Sequence, residues 1–259
     1  MDLRILYEDA HLLVLYKPAG VPVQSAKIGV QDCESMLKNY LYTKNPEKGQ
    51  PFLGLIHRLD QPVEGLLVFG KTRAATAALS RQVTDRKMKK RYLALCQCEG
   101  YVDNYVSNCH EFDEICGKTT ENVEKSVDNW IECVDFLKKN GRENRSEIVP
   151  EKTPGGKKSV LYYQVLKQIE ALRLVEIELL TGRHHQIRVQ MAGMGTPLLG
   201  DHKYSRMKGP VETVDNFSIA LCAYHLEFNH PKTEKHMEFE TLPENPAFSE
   251  FLGEISKKV

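Results

Sequence analysis

His57-Arg58-Leu59-Asp60 sets an imidazole, a guanidinium and a carboxylate between two apolar runs, Phe52-Leu53-Gly54-Leu55-Ile56 and Leu66-Leu67-Val68-Phe69. Each run has the length of a buried strand and neither has the length of a helix. Asp and Arg seldom sit between core strands unless they are paired. The segment is therefore a structural ion pair or a site. A carboxylate held there can attack a carbon centre or assist a departing group. Burial alone would neutralise it, and a neighbouring cation opposes that. A second polar cluster, Thr181-Gly182-Arg183-His184-His185-Gln186-Ile187-Arg188, closes another apolar strand.

Two rival chemistries are weak on the residues alone. A hydrolase using Asp60 with His57 would want an oxyanion loop such as Gly-x-Ser-x-Gly, and none is visible. The pair His184-His185 suggests a metal. Neighbours on a helix diverge by about 100°, which argues against both rings reaching one ion.

Composition narrows the classes further. Lys plus Arg equals Asp plus Glu, so the formal net charge of the 259 residues is zero. Bulk charge therefore does not hold nucleic acid, although a local patch can. Lys87, Lys89, Lys90 and Arg91 cluster immediately before Tyr92, and this run is the one expected to meet phosphate. Lys157-Lys158 and His202-Lys203 with Arg206 and Lys208 form two smaller groups. Seven cysteines without Cys-x-x-Cys read as reduced thiols. No apolar run reaches a membrane span, and no leader peptide is visible. The expectation is a cytoplasmic, monomeric protein.

The elements that must position these residues follow from periodicity. A hairpin is expected at 4–7 and 11–16, a loop at 17–22, and a helix at 32–43 capped by Asp32. Strands are expected at 52–56 and 65–70, then a helix over 73–86 with Ala74, Ala77, Ala78 and Leu79 inward, then a strand from Tyr92 to Gln97. Residues 101–155 are polar and acidic and read as an insertion in one catalytic domain spanning 1–259. Asp128 to Lys139 within it fits an amphipathic helix carrying Trp130, Ile131, Val134 and Leu137, and 140–156 reads as loop. Strands return at 159–169 and 172–180, a helix spans 183–194 with Gly195 beyond its end, and strands at 218–221, 225–228 and 236–241 precede a helix at 246–257. Hairpins with interspersed helices predict an α+β fold with a mainly antiparallel mixed sheet and flanking helices.

The segments HRLDQPVEGLLVFGKT (57–72), KRYLAL (90–95) and TGRHHQIRVQMAGMGTPLLGDHKYS (181–205) resemble, in order, the motifs of the RluA-type pseudouridine synthases. The opening at 5–20 and Leu226-Glu227-Phe228-Asn229-His230-Pro231 are similar to the family as well. The resemblance implies a pseudouridine synthase-like catalytic domain without the small RNA-binding module that many relatives carry in front. It implies isomerisation of uridine to pseudouridine in ribosomal or transfer RNA, with no cofactor and no metal. Asp60 would be the catalytic carboxylate, Arg183 the cation beside it, and Tyr92 the ring that stacks on the base and helps remove its proton. Ile187 would pack against the uracil and Arg58 would fill the place of the flipped-out base. RNA would be the partner. The alternative within the same fold is an RNA-binding or assembly factor that has lost catalysis. Pro62-Val63-Glu64 stand where the family usually has Thr-Ser, which sets Glu64 near the expected RNA entrance and bears on substrate choice. Cys222 stands where a His is typical.

Overall fold

A computed structural model describes residues 3–26, 29–98, 130–205 and 218–259. The chain divides into two compact units: Met1–Arg91 with Cys222–Pro246 and Val259, and Tyr92–Leu221 with Ala247–Lys258.

The first unit opens with a hairpin, β1 (Arg4–Glu8) and β2 (Leu12–Lys17). Its turn is held by Asp9, whose carboxylate accepts from the backbone N–H groups of His11 and Leu12 at 2.7 and 2.8 Å. Every residue of β2 is buried. It runs antiparallel to β4 (Glu64–Gly70), which also carries the short β3 (Gly54–Leu55). At its start β4 pairs in parallel with β10 (Leu221–Asn229), and β10 pairs antiparallel with β11 (His236–Glu240). Gly65 makes the parallel junction possible. Its φ is +122°, and a Cβ there would lie 2.4 Å from the Ala223 carbonyl oxygen, so only glycine admits this approach. Leu12, Val14, Leu66, Val68, Leu226 and Phe228 form the core with Leu79 of helix α2 (Arg73–Thr84). Helix α1 (Cys33–Lys44) is capped as expected, with Asp32 accepting from the Ser35 N–H at 2.7 Å.

The second unit orders its sheet as β5-β9-β8-β6-β7, from β5 (Lys89–Gln97), β6 (Ile131–Asn140), β7 (Arg145–Val149), β8 (Lys157–Ile169) and β9 (Leu172–Leu179). The first three residues of β5 belong to the first unit and the rest to the second. Helix α3 (Gln186–Gly193) follows, with Gly195 at φ +77° just past its end. The sheet is mixed and mainly antiparallel, with few helices, which is the α+β class that the pattern predicts.

Several elements differ from expectation. Residues 131–140 are strand β6, not helix. Cys133, Asp135 and Leu137 are buried while Glu132 and Val134 are exposed, which is the two-residue alternation of a sheet. The alternation is hard to read because one inward position is an aspartate, satisfied by the Gln190 amide at 2.9 Å. Residues 145–149 are a strand within the expected loop, and the strand expected at 52–56 shrinks to Gly54–Leu55. Helix α2 turns Ala75 and Leu79 inward and leaves Ala74 and Ala77 exposed. The strands at 218–221 and 225–228 are one strand, and 246–257 is a 3-10 turn, Pro246–Phe251, leading into the short α4 (Leu252–Ile255). Residues 99–129, most of the expected insertion, and Arg206 and Lys208 lie outside the described residues.

Candidate active site

In the first unit Asp60 lies on the turn between β3 and β4. Leu59 and Val63, both buried, anchor the turn on either side. The Val63 N–H closes it on the Asp60 carbonyl at 3.0 Å. The 17–21 loop is tied to this turn through Gln61, whose carbonyl accepts from the Gly20 N–H and whose side-chain amide donates to the Gly20 carbonyl, both at 2.9 Å. Lys17 reinforces the tie. It is fully buried, and its Nζ donates to the carbonyls of Pro18, Val21 and Gln61 at 2.9, 2.8 and 3.1 Å. Burial pulls the Lys17 pKa down to about 8, and the charges of Cys33, Asp60 and Glu64 oppose that. The electrostatic reach between Lys17 and Asp60 makes this ammonium part of the carboxylate's surroundings. No sequence argument singled out Lys17, although a lysine at the end of a wholly apolar strand was the available signal.

Arg58 is exposed and Asp60 partly so. His57 keeps some surface in solvent, but both of its ring nitrogens are buried without a hydrogen-bond partner among the described residues. Burial, with the Lys90 charge adding to it, pushes its pKa down to about 3. Glu64 does not face solvent. It is buried, accepting from the Tyr16 hydroxyl at 2.8 Å and from the Asn245 N–H at 3.1 Å, and burial raises its pKa.

The Lys87–Arg91 run does not present a single basic face. Strand alternation splits it: Lys89 is exposed and paired with Glu227 at 3.1 Å, whereas Lys90 is buried. Lys87 is exposed and Arg91 partly buried. Tyr92 is buried at the start of the second unit's share of β5.

The second unit holds Arg183 and Ile187. Gln186, the first residue of α3, shapes the Thr181-Gly182-Arg183 turn. Its side-chain oxygen accepts from the Arg183 N–H at 3.0 Å and the Thr181 hydroxyl at 2.8 Å, and its amide donates to the Val160 carbonyl at 3.1 Å. The turn is thereby fixed to β8. The Arg183 side chain is exposed, with Nε donating to the Lys158 carbonyl at 3.2 Å. Ile187 is buried on α3.

His184 and His185 precede α3 instead of lying on it. Their rings stack 3.7 Å apart between centroids, with His185 in the left-handed region at φ 55°. His184 meets the Ser146 hydroxyl through Nδ1 and the Asn144 side chain through Nε2, at 2.9 and 3.0 Å, and His185 Nδ1 meets the Tyr204 hydroxyl at 2.8 Å. These contacts position both rings, and the pair precedes the helix, so helical divergence is not what separates them. Among the described residues, His225 with Glu238 and Glu240 has the spacing to hold an ion, but both carboxylates are exposed. Arg188, missed by sequence reasoning, forms a buried pair with Asp201.

The sequence pattern of the family described as RNA pseudouridylate synthase matches residues 11–193, a stretch that contains Asp60, Tyr92, Arg183 and Ile187. The chain belongs to this family, in its RluA-type branch, and is a pseudouridine synthase. It is 33% identical over 252 residues to the Bacillus subtilis (strain 168) protein named uncharacterized RNA pseudouridine synthase YlyB, covering 95% of this chain and 71% of that one. It is 33% identical over 255 residues to ribosomal large subunit pseudouridine synthase D of Nitrosomonas europaea, covering 95% of this chain and 64% of that one. The fold is shared with human RNA pseudouridylate synthase domain containing 4, at a TM-score of 0.70 and 22% identity over 98% of this chain and 93% of that one.

Proposed function

We propose that this enzyme isomerises uridine to pseudouridine in ribosomal or transfer RNA, with Asp60 as its catalytic carboxylate and without a cofactor. The observation that carries the reading is the family match across residues 11–193. Ribosomal RNA is the favoured substrate, because relatives covering most of this chain are named as synthases of the large ribosomal subunit.

In this reaction the bond from the ribose C1′ to N1 of uracil breaks, the base turns, and C1′ joins C5. C5 loses a proton and N1 gains one, so atoms and electrons balance without a redox partner. Asp60 attacks the sugar or base and later departs. Arg183 supplies the opposing charge that keeps a desolvated carboxylate ionised. The Tyr92 ring stacks on the uracil, its hydroxyl assists removal of the C5 proton, and Ile187 packs against the base. Arg58 occupies the space left when the uridine leaves its stack. Of the basic run, Lys87, Lys89 and Arg91 stay candidates for RNA, whereas the buried Lys90 serves the fold.

The test has two parts. Release of tritium from RNA carrying 5-tritiated uridine measures the chemistry, and mapping pseudouridine in cellular ribosomal and transfer RNA with and without the protein identifies the substrate. Release by wild type and none by Asp60→Asn supports the proposal. No release from any cellular RNA would leave the rival reading, a binding factor without catalysis.

A further inference from the structure

Basic side chains gather around the β6–β7 turn of the second unit. Arg145 lies over the Tyr204 ring, 5.3 Å from its centroid, and donates to the Lys203 carbonyl. Lys203 Nζ returns a bond to the Asn144 carbonyl at 2.9 Å. The two turns thus hold each other. Lys139 is exposed and stands opposite Ser146 in the β6–β7 ladder, beside Arg145, and the charges of Lys139 and Lys203, with those of Arg188 and His184, add to burial in lowering the His185 pKa. Asp201 neutralises Arg188. The exposed carboxylates of the hairpin include Glu143 in the turn and Glu147, the latter opposite Lys138 in the ladder.

Like charges gathered on one turn repel, more strongly the closer they stand. Hydrogen bonds and an aromatic face hold Arg145 and Lys203 together against that repulsion. A planar guanidinium steadied on a ring suits the forked geometry of a phosphate.

We propose that Lys139, Arg145 and Lys203, gathered at the β6–β7 turn, form a binding surface for the phosphate backbone of the RNA. This rests on the reading that the enzyme acts on RNA, and it adds a second segment for phosphate recognition to the exposed part of Lys87–Arg91. The β6–β7 hairpin then has a role in substrate binding beyond extending the sheet.

The experiment is fluorescence anisotropy of labelled oligouridylate over a series of KCl concentrations. On a single strand, each phosphate that the protein ceases to neutralise makes the slope of log affinity against log salt shallower by about 0.7. Lys139→Gln, Arg145→Gln and Lys203→Gln combined should lower it by up to about 2. Lys232→Gln with Lys235→Gln, at exposed positions away from either basic group, should leave it near the wild-type value. Arg145→Lys should keep the slope and weaken binding, because charge remains while the fork is removed. A combined variant with the wild-type slope and an unchanged melting temperature would overturn the proposal. If the combined variant does not fold, Lys139→Gln alone decides, at an exposed position, by a drop of about 0.7 or none. A wild type that binds steeply yet releases no tritium would sink the proposed catalysis and leave this surface standing.

Discussion

Arg188 grips Asp201 through two hydrogen bonds, Nε to Oδ2 at 2.7 Å and Nη2 to Oδ1 at 2.8 Å, with the two side chains 6% and 0% exposed. The pair joins α3 to the turn that carries Lys203 and Tyr204. The Arg188 guanidinium also lies 5.2 Å from the centre of the Tyr204 ring, so its position is set from two directions. Desolvation offsets much of the attraction in such a pair, which makes it a device for position more than for stability.

Removing one partner strands the other charge. Asp201→Asn should therefore destabilise the fold by about 3–5 kcal/mol. Arg188→Met with Asp201→Leu should recover much of that stability. Urea unfolding followed by circular dichroism measures both, and a double variant no more stable than Asp201→Asn would contradict the positional role.

Lys17→Met should destabilise by about 1–3 kcal/mol for each carbonyl left without a donor. Gln61 retains the Gly20 N–H, so Pro18 and Val21 carry the penalty. The pH dependence has a definite sign. The folded pKa is about 8 against an ordinary value of 10.5, so the unfolded chain holds more protons between these values. Lys17 thus contributes increasing stability as pH rises through that window. The stability of wild type relative to Lys17→Met should grow from pH 8 to pH 10.5, as read from chemical denaturation at each pH.

Asp60→Asn should abolish tritium release and leave the melting temperature near that of wild type, because the amide matches the carboxylate in shape. Tyr92→Phe should keep RNA affinity and lose turnover, since stacking needs only the ring. Single-turnover kinetics decide: a Phe variant as fast as wild type would give the proton transfer to another group.

Glu8 links acid stability to the β1–β2 hairpin. Burial raises its pKa, but hydrogen bonds from Lys44, Lys71 and Tyr40 outweigh that and bring it down to about 2. Its contribution is complete above the ordinary value of 4.5 and is lost as pH falls toward 2. Glu8→Gln should flatten the acid limb of the stability curve in that interval, and a limb of unchanged slope would show that Glu8 does not govern it.

The strands and helices around the motifs were legible because their apolar residues repeat cleanly, as in β2, β4 and α1. Strand β6 was not, because Asp135 occupies an inward position and Val134 an outward one, which breaks alternation and mimics a helical stripe. The basic run at 87–91 was visible as composition, but a strand separates neighbours onto opposite faces, and that placed Lys90 inside. Gln186, Arg188 and Asp201 escaped notice because their work is mutual: each is ordinary alone, and only the fold brings their partners within reach. Lys17 escaped because its three acceptors are backbone carbonyls, so its place at the end of an apolar strand was the one signal and named no partner.

The three bonds from Lys17 have a consequence for the energetics of the proposed catalysis. Fixing one residue of a slack loop costs about 1–2 kcal/mol of conformational entropy. Here the 17–21 loop and the Asp60 turn are already fixed by Lys17 and Gln61 before any RNA arrives. Drawing a uridine out of its stack costs a few kcal/mol of its own. On the proposed role of Asp60, a turn ordered in advance lets contacts made to the RNA go toward extracting the base.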